Sequence, residues 1–168
     1  EYARVNKIPF LGICLGMQMA VIEYARNVKK IRYANSTEIS EKCKDPVIDL
    51  MTSQKEIINK GGTMRLGAWD CEILKNTISN KIYSKKVVSE RHRHRYEFND
   101  EYSKKIFDEN FIVAGKNPET NLVEIVENKD HPWFVGVQFH PEYKSSVYNP
   151  HPIFVNFVKA SLKNYLKK

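Results

Sequence analysis

The stretch from Ile8 to Val28, IPFLGICLGMQMAVIEYARNV, decides the fold because its hydrophobic period changes within a few residues. The first part, Ile8–Ile13, is a short apolar run that is typical of a strand buried on both faces of a sheet. The rest spaces its apolar side chains by three and four, as on one face of a helix: Met17, Ala20, Val21, Tyr24, Ala25 and Val28. A strand that passes into a helix with almost no loop is typical of an α/β protein.

The remainder of the chain carries further strand and helix patterns. A short helix is predicted from Tyr102 to Asn110, and an amphipathic helix from Pro152 to Lys168. Hairpin-like spacing among several predicted strands indicates antiparallel pairing: Val47–Met51, Gly67–Leu74, Ile82–Ser84, Val87 into the Arg-His repeat, Phe111–Ala114, Leu122–Val126 and Phe134–Phe139. We therefore expect a central, largely parallel sheet flanked by helices, with an antiparallel extension.

Length and composition fit one ordinary globular domain. Of 168 residues, 42% are hydrophobic and 28% are charged, which excludes the disordered and fibrous classes. The net charge is +7, from 27 basic and 20 acidic residues, and the scattered lysines are typical of a solvated surface. Three cysteines without CxxC spacing favour a reducing compartment over a disulfide framework. We expect a cytoplasmic protein without a nucleic-acid or membrane partner.

The most informative short motif is Gly12-Ile13-Cys14-Leu15-Gly16, at the predicted junction of strand and helix. It is a cysteine version of the nucleophile elbow G-x-S-x-G, in which a sharp turn projects the nucleophile above the sheet edge. The first turn of the following helix directs free N–H groups at the sulfur, which favours the thiolate. A buried structural cysteine between close-packed glycines fits the same motif equally well.

A second motif, VQFHPE, ends an apolar strand at His140 and Glu142. Residues two apart on an extended chain point the same way, so the Glu142 carboxylate can hold the imidazole of His140. Alone, such a pair is often only a surface contact. Together with the cysteine motif, the order Cys14, His140 and Glu142, each near a strand end, predicts a cysteine–histidine–acid catalytic triad.

Six longer strings resemble the class I glutamine amidotransferase domain of the CTP synthase family. Of these, IEYARNV, GGTMRLG and RHRHRYE are more specific to that family, whereas the HPE piece is common to many class I amidotransferases. The resemblance covers nearly the whole chain and implies a flavodoxin-like class I amidotransferase architecture. The strings are Ile8–Val28, Ala34–Glu38 (ANSTE), Gly61–Gly67 (GGTMRLG), Glu90–Glu97 (ERHRHRYE), His131–Phe134 (HPWF) and Gln138–Glu142 (QFHPE).

The resemblance implies a reaction and a set of site residues. Cys14 would attack the side-chain carboxamide of glutamine, His140 would transfer protons, and Glu142 would orient the histidine. A γ-glutamyl thioester would form as ammonia leaves. The implied glutamine-binding residues are Leu15, Gly16, Met17, Gln18, Glu38 and Arg95. Leu15 would donate to the oxyanion, and Gln18 and Glu38 would bind the polar end of glutamine. Arg95 would pair with its α-carboxylate.

The resemblance also implies partners. Ammonia would pass to a synthase domain of the same polypeptide, which aminates UTP to CTP with ATP and Mg²⁺, and GTP would activate the homotetrameric enzyme allosterically. Residues 1–168 would form the amidotransferase domain, without a cofactor or metal of its own. The synthase domain, the first strands and a Gly-rich loop with a second oxyanion donor would lie before Glu1. The segment Ser40–Thr63, with broken periodicity and two glycines, is interpreted as a mobile lid.

Three alternatives stay open on sequence alone. Arg91, Arg93 and Arg95 on one strand face would fit a basic RNA-binding module, although stacking aromatics are not evident nearby. A metal site of His92, His94 and Cys71 lacks a second pair of residues with ligand spacing. The amidotransferase domain of an enzyme of GMP or carbamoyl-phosphate synthesis would share the triad, but the RHRHRYE string argues against it.

Overall fold

The structure is a computed structural model and describes residues 1–50 and 64–167. Its strands are β1 (Phe10–Ile13), β2 (Ala34–Ser36), β3 (Asp45–Leu50), β4 (Arg65–Ile73), β5 (Val87–His94), β6 (Tyr96–Phe98), β7 (Phe111–Lys116), β8 (Val123–Asn128) and β9 (Phe134–Val137). Its α-helices are α1 (Tyr2–Val5), α2 (Leu15–Asn27), α3 (Ile78–Tyr83), α4 (Ser103–Ile106) and α5 (Pro152–Tyr165). Two 3₁₀ helices cover Asp100–Tyr102 and Pro141–Lys144.

A six-stranded sheet in the order β1-β9-β8-β7-β4-β5 forms the centre of the described chain, and β2, β3 and β6 form a second sheet. The expected α/β class is confirmed, with helices α2 and α5 packed against the strands. The central sheet is mixed rather than largely parallel, because only β1 and β9 pair in parallel within it. Short connections join β7 to β8 and β8 to β9, and connections without a crossover helix give antiparallel neighbours.

The hydrophobic core has one cluster on each face of this sheet. Successive residues of a strand point to opposite faces, so Val126 joins the cluster under α2 while Ile125 joins the cluster under α5. The predicted helix that begins at Pro152 is confirmed as α5, and Ile153 is its fully buried anchor. None of the described helices is long and apolar enough to cross a membrane.

Two predicted elements are wrong. The segment Ile82–Ser84 is not a strand but the end of α3, whose first turn is capped by Thr77 and by the carboxylate of Glu127. The predicted helix Tyr102–Asn110 stops at Ile106, because the Asp108 side chain accepts hydrogen bonds from the N–H groups of Asn110 and Phe111 and turns the chain into β7.

The lid hypothesis is covered only in part by the structure. Asp45–Leu50, inside the segment Ser40–Thr63, forms β3 and pairs with β2 and β6. Residues 51–63 lie outside the described residues. The interpretation of the segment as a lid therefore stays a prediction.

Close packing of β1 against α2 depends on Gly12. A Cβ atom at this position would lie 2.6 Å from the carbonyl carbon of Gly16 and 2.8 Å from the backbone nitrogen of Met17. Gly16 itself differs, because a Cβ atom there would have no neighbour within 4 Å. The two glycines of the motif thus have different roles: Gly12 permits close contact between strand and helix, and Gly16 leaves open space at the start of the helix.

Replacement of these glycines should separate the two effects. We expect Gly12→Ala to lower the free energy of unfolding by about 1–3 kcal/mol or more, because backbone atoms cannot move aside as a side chain can. Gly16→Ala is the matched control and should be neutral or stabilising by up to ~1 kcal/mol, since alanine favours a helix. Urea unfolding of both variants measures this, and equal destabilisation would contradict it.

Candidate active site

Cys14 is the single residue between β1 and α2, and its backbone is strained. Its φ of 50° and ψ of −105° lie outside the regions that non-glycine residues normally adopt. Two backbone contacts hold it there: its N–H donates to the Val137 carbonyl at 2.7 Å, and its own carbonyl accepts from Met17 and Gln18. Such strain costs about 1–3 kcal/mol and is typical of functional sites. The nucleophile-elbow geometry predicted from the motif is therefore present.

The pKa of the Cys14 thiol is raised above its ordinary value. Burial raises its pKa, the backbone N–H of Leu15 acts in the opposite direction, and the nearby carboxylates of Glu97, Glu38 and Glu142 raise it further. The N–H group at the helix start favours the thiolate, as the sequence predicts, but burial outweighs it in the net shift of the Cys14 pKa. The sulfur also accepts a hydrogen bond from Nε2 of Gln138 at 3.7 Å.

His140 follows β9, the parallel neighbour of β1, so Cys14 and His140 lie at the same edge of the sheet. The His140 N–H donates to the Arg91 carbonyl, and Nδ1 lies 2.6 Å from Oε1 of Glu142. This contact was predicted, but Glu142 reaches the imidazole from a 3₁₀ helix instead of an extended strand. Nδ1 must carry the proton that the carboxylate accepts, which leaves Nε2 as the base. Nε2 is buried and has no hydrogen-bond partner among the described residues.

Gln18 lies on the first turn of α2 with its side chain buried. Its Nε2 donates to the Tyr96 carbonyl at 3.0 Å and to Oε1 of Gln138 at 3.2 Å. Because a carbonyl can only accept, these contacts fix which end of the amide is nitrogen. Its Oε1 is buried without a partner among the described residues and can accept from a ligand.

The other predicted glutamine-binding residues differ in how far they are exposed. Glu38 and Arg95 are exposed. The charge of Glu38 raises the pKa of the Tyr96 hydroxyl and the charge of Arg95 lowers it, so both residues lie near this side chain. Leu15 is half exposed, next to the open space at Gly16. Met17 is fully buried in the core, and only its backbone N–H faces Cys14.

The Arg-His repeat in β5 alternates as the sequence predicts. Arg91 and Arg93 are exposed, whereas His92 and His94 are buried. The metal site proposed for these histidines with Cys71 is not formed, because Cys71 lies in the apolar cluster under α5. Among the described residues, no group of three or more histidine, cysteine, aspartate or glutamate side chains is arranged to hold a metal ion.

Sequence reasoning missed the buried polar residues behind the site. Gln138 lies in the QFHPE string, yet only the structure shows that it contacts both Cys14 and Gln18. Glu97 and Glu124 form ion pairs with Arg65 in the interior. The one available signal was an acidic residue inside the apolar run Leu122–Val126, which rarely occurs without a buried partner.

A strained cysteine after one parallel strand, and a histidine–glutamate pair after the next, define the class of α/β proteins with a cysteine nucleophile. Within that class, the family model for class-I glutamine amidotransferases matches residues 1–160. The chain belongs to the class I glutamine amidotransferase family. This confirms the expected architecture, and it argues against an RNA-binding module.

Similar proteins support a finer comparison. The chain is 60% identical over 168 residues to the CTP synthase of Christiangramia forsetii, covering 100% of this chain and 31% of that relative. The solved Trypanosoma brucei CTPS glutaminase domain with bound acivicin is 40% identical, with a TM-score of 0.89, over 96% of this chain and 62% of that one. A putative GMP synthase subunit of Thermoplasma acidophilum, 18% identical with a TM-score of 0.61 over 99% of this chain and 65% of that one, shows the fold alone. The chain thus spans about a third of the length of the curated relatives that it matches.

The raised pKa of Cys14 predicts slow alkylation at neutral pH. A free cysteine is a few per cent thiolate at pH 7, and Cys14 should hold less, so iodoacetamide should modify it more slowly than a free cysteine. Below its pKa the rate should rise about tenfold per pH unit, and the rise should continue past pH 8.5.

Mass spectrometry of the separate cysteine peptides gives this rate. Cys71, which is fully buried, reports the integrity of the fold by staying unmodified. A plateau in the Cys14 rate below pH 8 would show that the resting site already holds a thiolate, contrary to the structure.

Proposed function

We propose that this chain binds L-glutamine and hydrolyses its side-chain amide, with Cys14, His140 and Glu142 as the catalytic residues. The observation that carries the proposal is a strained cysteine after β1 and, after its parallel neighbour β9, an imidazole whose Nε2 is buried and unpartnered among the described residues. The family match and the acivicin complex of the Trypanosoma brucei domain support glutamine as the substrate, since acivicin is a glutamine analogue.

The first half of the reaction follows from the protonation states. Because the thiol is protonated, His140 takes the Sγ proton at Nε2 as the sulfur attacks the carboxamide carbon, and Glu142 stabilises the resulting imidazolium. The backbone N–H of Leu15 faces the sulfur and can donate to the developing oxyanion. The imidazolium then gives its proton to the amide nitrogen, the C–N bond breaks, ammonia leaves and a γ-glutamyl thioester remains.

The second half regenerates the enzyme with the same groups. His140 takes a proton from water at Nε2, and the oxygen attacks the thioester carbonyl, again with an oxyanion that Leu15 can stabilise. The carbon–sulfur bond breaks, the imidazolium returns the proton to Sγ, and glutamate is released. Water enters and ammonia and glutamate leave, so atoms and protons balance over the cycle.

Substrate recognition is assigned to the groups around Tyr96. The carboxylate of Glu38 and the unpartnered Oε1 of Gln18 accept from the α-ammonium group, and the guanidinium of Arg95 pairs with the α-carboxylate. Gly16 and Met17 contribute backbone at the start of α2, where the absence of a side chain on Gly16 leaves space. Each charge of the amino acid then meets the opposite charge of the protein.

We assign the released ammonia to the amination of UTP to CTP, because the chain is about 60% identical to CTP synthases and spans only a third of them. A synthase domain would supply the remaining parts: sites for ATP, Mg²⁺ and UTP, activation by GTP, and the contacts of a homotetramer. The first strands of the sheet and the second oxyanion donor would also come from outside residues 1–168, in a cytoplasmic enzyme. The likeness to the putative GMP synthase subunit of Thermoplasma acidophilum, at 18% identity, supports the fold and not that activity.

Acivicin should label Cys14 and no other residue. Intact-mass spectrometry should show one adduct on the parent chain and none on Cys14→Ala. His140→Asn should lower the labelling rate by about 10²-fold, because the thiol then lacks its base. A folded parent chain without an adduct, or an adduct that persists on Cys14→Ala, would contradict the assignment of Cys14 as the nucleophile.

Arg95 and Arg93 form a matched pair for the substrate-binding assignment, since both are exposed on the same row of β5 and its extension. We expect Arg95→Ala to lower the acivicin labelling rate by about 10–100-fold, the usual effect of losing a charge-assisted hydrogen bond. Arg93→Ala should leave it unchanged. Iodoacetamide, which has no α-carboxylate, should modify Cys14 equally in both variants. Equal acivicin rates in the two variants would exclude Arg95 from the glutamine site.

A further inference from the structure

A buried group of charged side chains lies behind the candidate active site and takes no part in the steps above. We call it the Arg65 cluster, and the exposed fraction of each of its side chains is 4% or less. Its members come from β4, β5, β6 and β8, and so they tie together four strands: Arg65, His92, His94, Glu97 and Glu124.

The cluster holds one permanent cation and two carboxyl groups. Nη2 of Arg65 lies 2.6 Å from Oε1 of Glu124, and Nη1 lies 3.4 Å from Oε1 of Glu97. A buried net charge is costly, so a cluster with two ionised carboxylates needs a second cation or one proton. Burial raises the pKa of both groups, of Glu97 to about 8 and of Glu124 to about 7, although Arg65 acts in the opposite direction on each.

The hydrogen-bonding pattern of His94 fixes its tautomer. Its Nδ1 lies 3.2 Å from the Tyr96 carbonyl oxygen and 3.3 Å from Oε1 of Glu97. Because a carbonyl oxygen can only accept, the contact with Tyr96 places a proton on Nδ1. Burial lowers the pKa of His94 to about 3, with Arg65 acting in the same direction, so the imidazole is neutral. Its Nε2 is therefore an acceptor.

His92 then has only one possible tautomer. Its Nδ1 lies 2.8 Å from Nε2 of His94 and must donate to it. Burial lowers the pKa of His92 to about 2, so this ring is neutral as well, and its Nε2 is a bare acceptor. That Nε2 faces Oε2 of Glu124 at 3.5 Å, and neither atom has a hydrogen-bond partner among the described residues. A single proton between the two atoms satisfies both.

We propose that Glu124 is the protonated member of the cluster, and that its Oε2–H donates to Nε2 of His92, so that a directed chain of hydrogen bonds through His92 and His94 fixes the Tyr96 carbonyl for Gln18. Glu97 then stays ionised and balances Arg65. The pKa values, about 8 for Glu97 and about 7 for Glu124, and the shorter distance from Arg65 to Glu124 favour the reverse order, but only a proton on Glu124 satisfies the two facing atoms that lack a partner. The alternative, a proton on Oε2 of Glu97, has no acceptor among the described residues. The inference deepens the proposed function, because Gln18 is there a ligand of glutamine.

The chain of hydrogen bonds continues to the nucleophile. The Tyr96 carbonyl accepts from Nε2 of Gln18, the same Nε2 donates to Oε1 of Gln138, and Nε2 of Gln138 donates to Sγ of Cys14. This sequence of donors keeps the Gln18 amide in one orientation, with Oε1 available to a ligand. Glu124, His92 and His94 are therefore positioning residues that act through the Tyr96 carbonyl and Gln18.

Two amide substitutions in the cluster test the position of the proton. Glu124→Gln keeps an acceptor for Arg65 and replaces Oε2–H by an N–H donor, so the acivicin labelling rate of Cys14 should stay within about threefold of the parent. Glu97→Gln removes the counter-charge of Arg65, so Glu124 should ionise and stop donating to His92. The rate should then fall about tenfold or more. A slower labelling rate in Glu124→Gln than in Glu97→Gln, or equal rates in the two variants, would overturn the proposal.

Nitrogen-15 NMR of the imidazole rings gives a readout that does not depend on labelling. In the parent chain and in Glu124→Gln, both His92 and His94 should be neutral with the proton on Nδ1 at pH 6–8. In Glu97→Gln, His92 and His94 should both change to the form protonated at Nε2, because Nδ1 of His92 then accepts from Nε2 of His94. A proton on Nε2 of His92 in the parent would overturn the proposal, whatever the labelling rates are.

The two proposals fail in different ways. A folded parent chain that acivicin does not label counts against glutamine as the ligand, and the tautomers of His92 and His94 still decide where the proton lies. A parent chain that is labelled on Cys14, but has His92 protonated at Nε2, supports the proposed function and refutes the position of the proton. Alkylation of Cys14 by iodoacetamide, together with an unmodified Cys71, separates either result from general unfolding.

Discussion

The structure depends on the close approach of α2 to the parallel pair β1 and β9. The backbone of Gly12 touches the first turn of α2, and Gly136, its partner in β9, lies where a Cβ atom would meet Val126 and Met17. With the helix this close to the strands, only Cys14 remains to connect them, and it adopts a φ of 50°. The backbone strain at the nucleophile is therefore a consequence of core packing, and the large apolar surface under α2 stabilises it. The same pairing with β9 determines the position of His140, because the ends of adjacent parallel strands lie at one edge.

Burial sets the charge state of every group behind that edge. Burial raises the pKa of the Cys14 thiol, and Nε2 of His140 is buried without a hydrogen-bond partner among the described residues. The Arg65 cluster follows the same rule, since its histidines are neutral and one proton on its carboxyl groups makes it neutral as a whole. A charge that appears during catalysis then develops in surroundings of low polarisability, where the fixed Leu15 N–H and the Glu142 carboxylate act more strongly than they would in water.

The sequence predicted what depends on local order and missed what depends on contacts between distant residues. The change of period between Ile8 and Val28 predicts β1, α2 and the strained turn. The alternation in β5 predicts arginines on one face and histidines on the other, and the structure shows that the histidine face is the buried one. Helix α3 was missed because its three-residue apolar window fits a strand equally well, and the caps from Thr77 and Glu127 decide the outcome. The pairing of Arg65 with Glu124, 59 positions apart, follows from strand order. The raised pKa of the Cys14 thiol was missed because no sequence pattern measures burial against one N–H group.

Strand β5 shows why the fold and the site cannot be separated. Its register places His94 opposite Arg65 in β4, so the alternation that turns arginines outward also brings the two histidines under the site. A slip of one residue would exchange the faces, leaving arginines in the interior and histidines in water. The contacts of His92 with Glu124 and of His94 with Glu97 oppose such a slip, because it would leave these buried polar groups without partners. The register that stabilises the sheet thus also holds the Tyr96 carbonyl against Gln18, so the geometry of the proposed glutamine site depends on the pairing of two strands that do not carry Cys14.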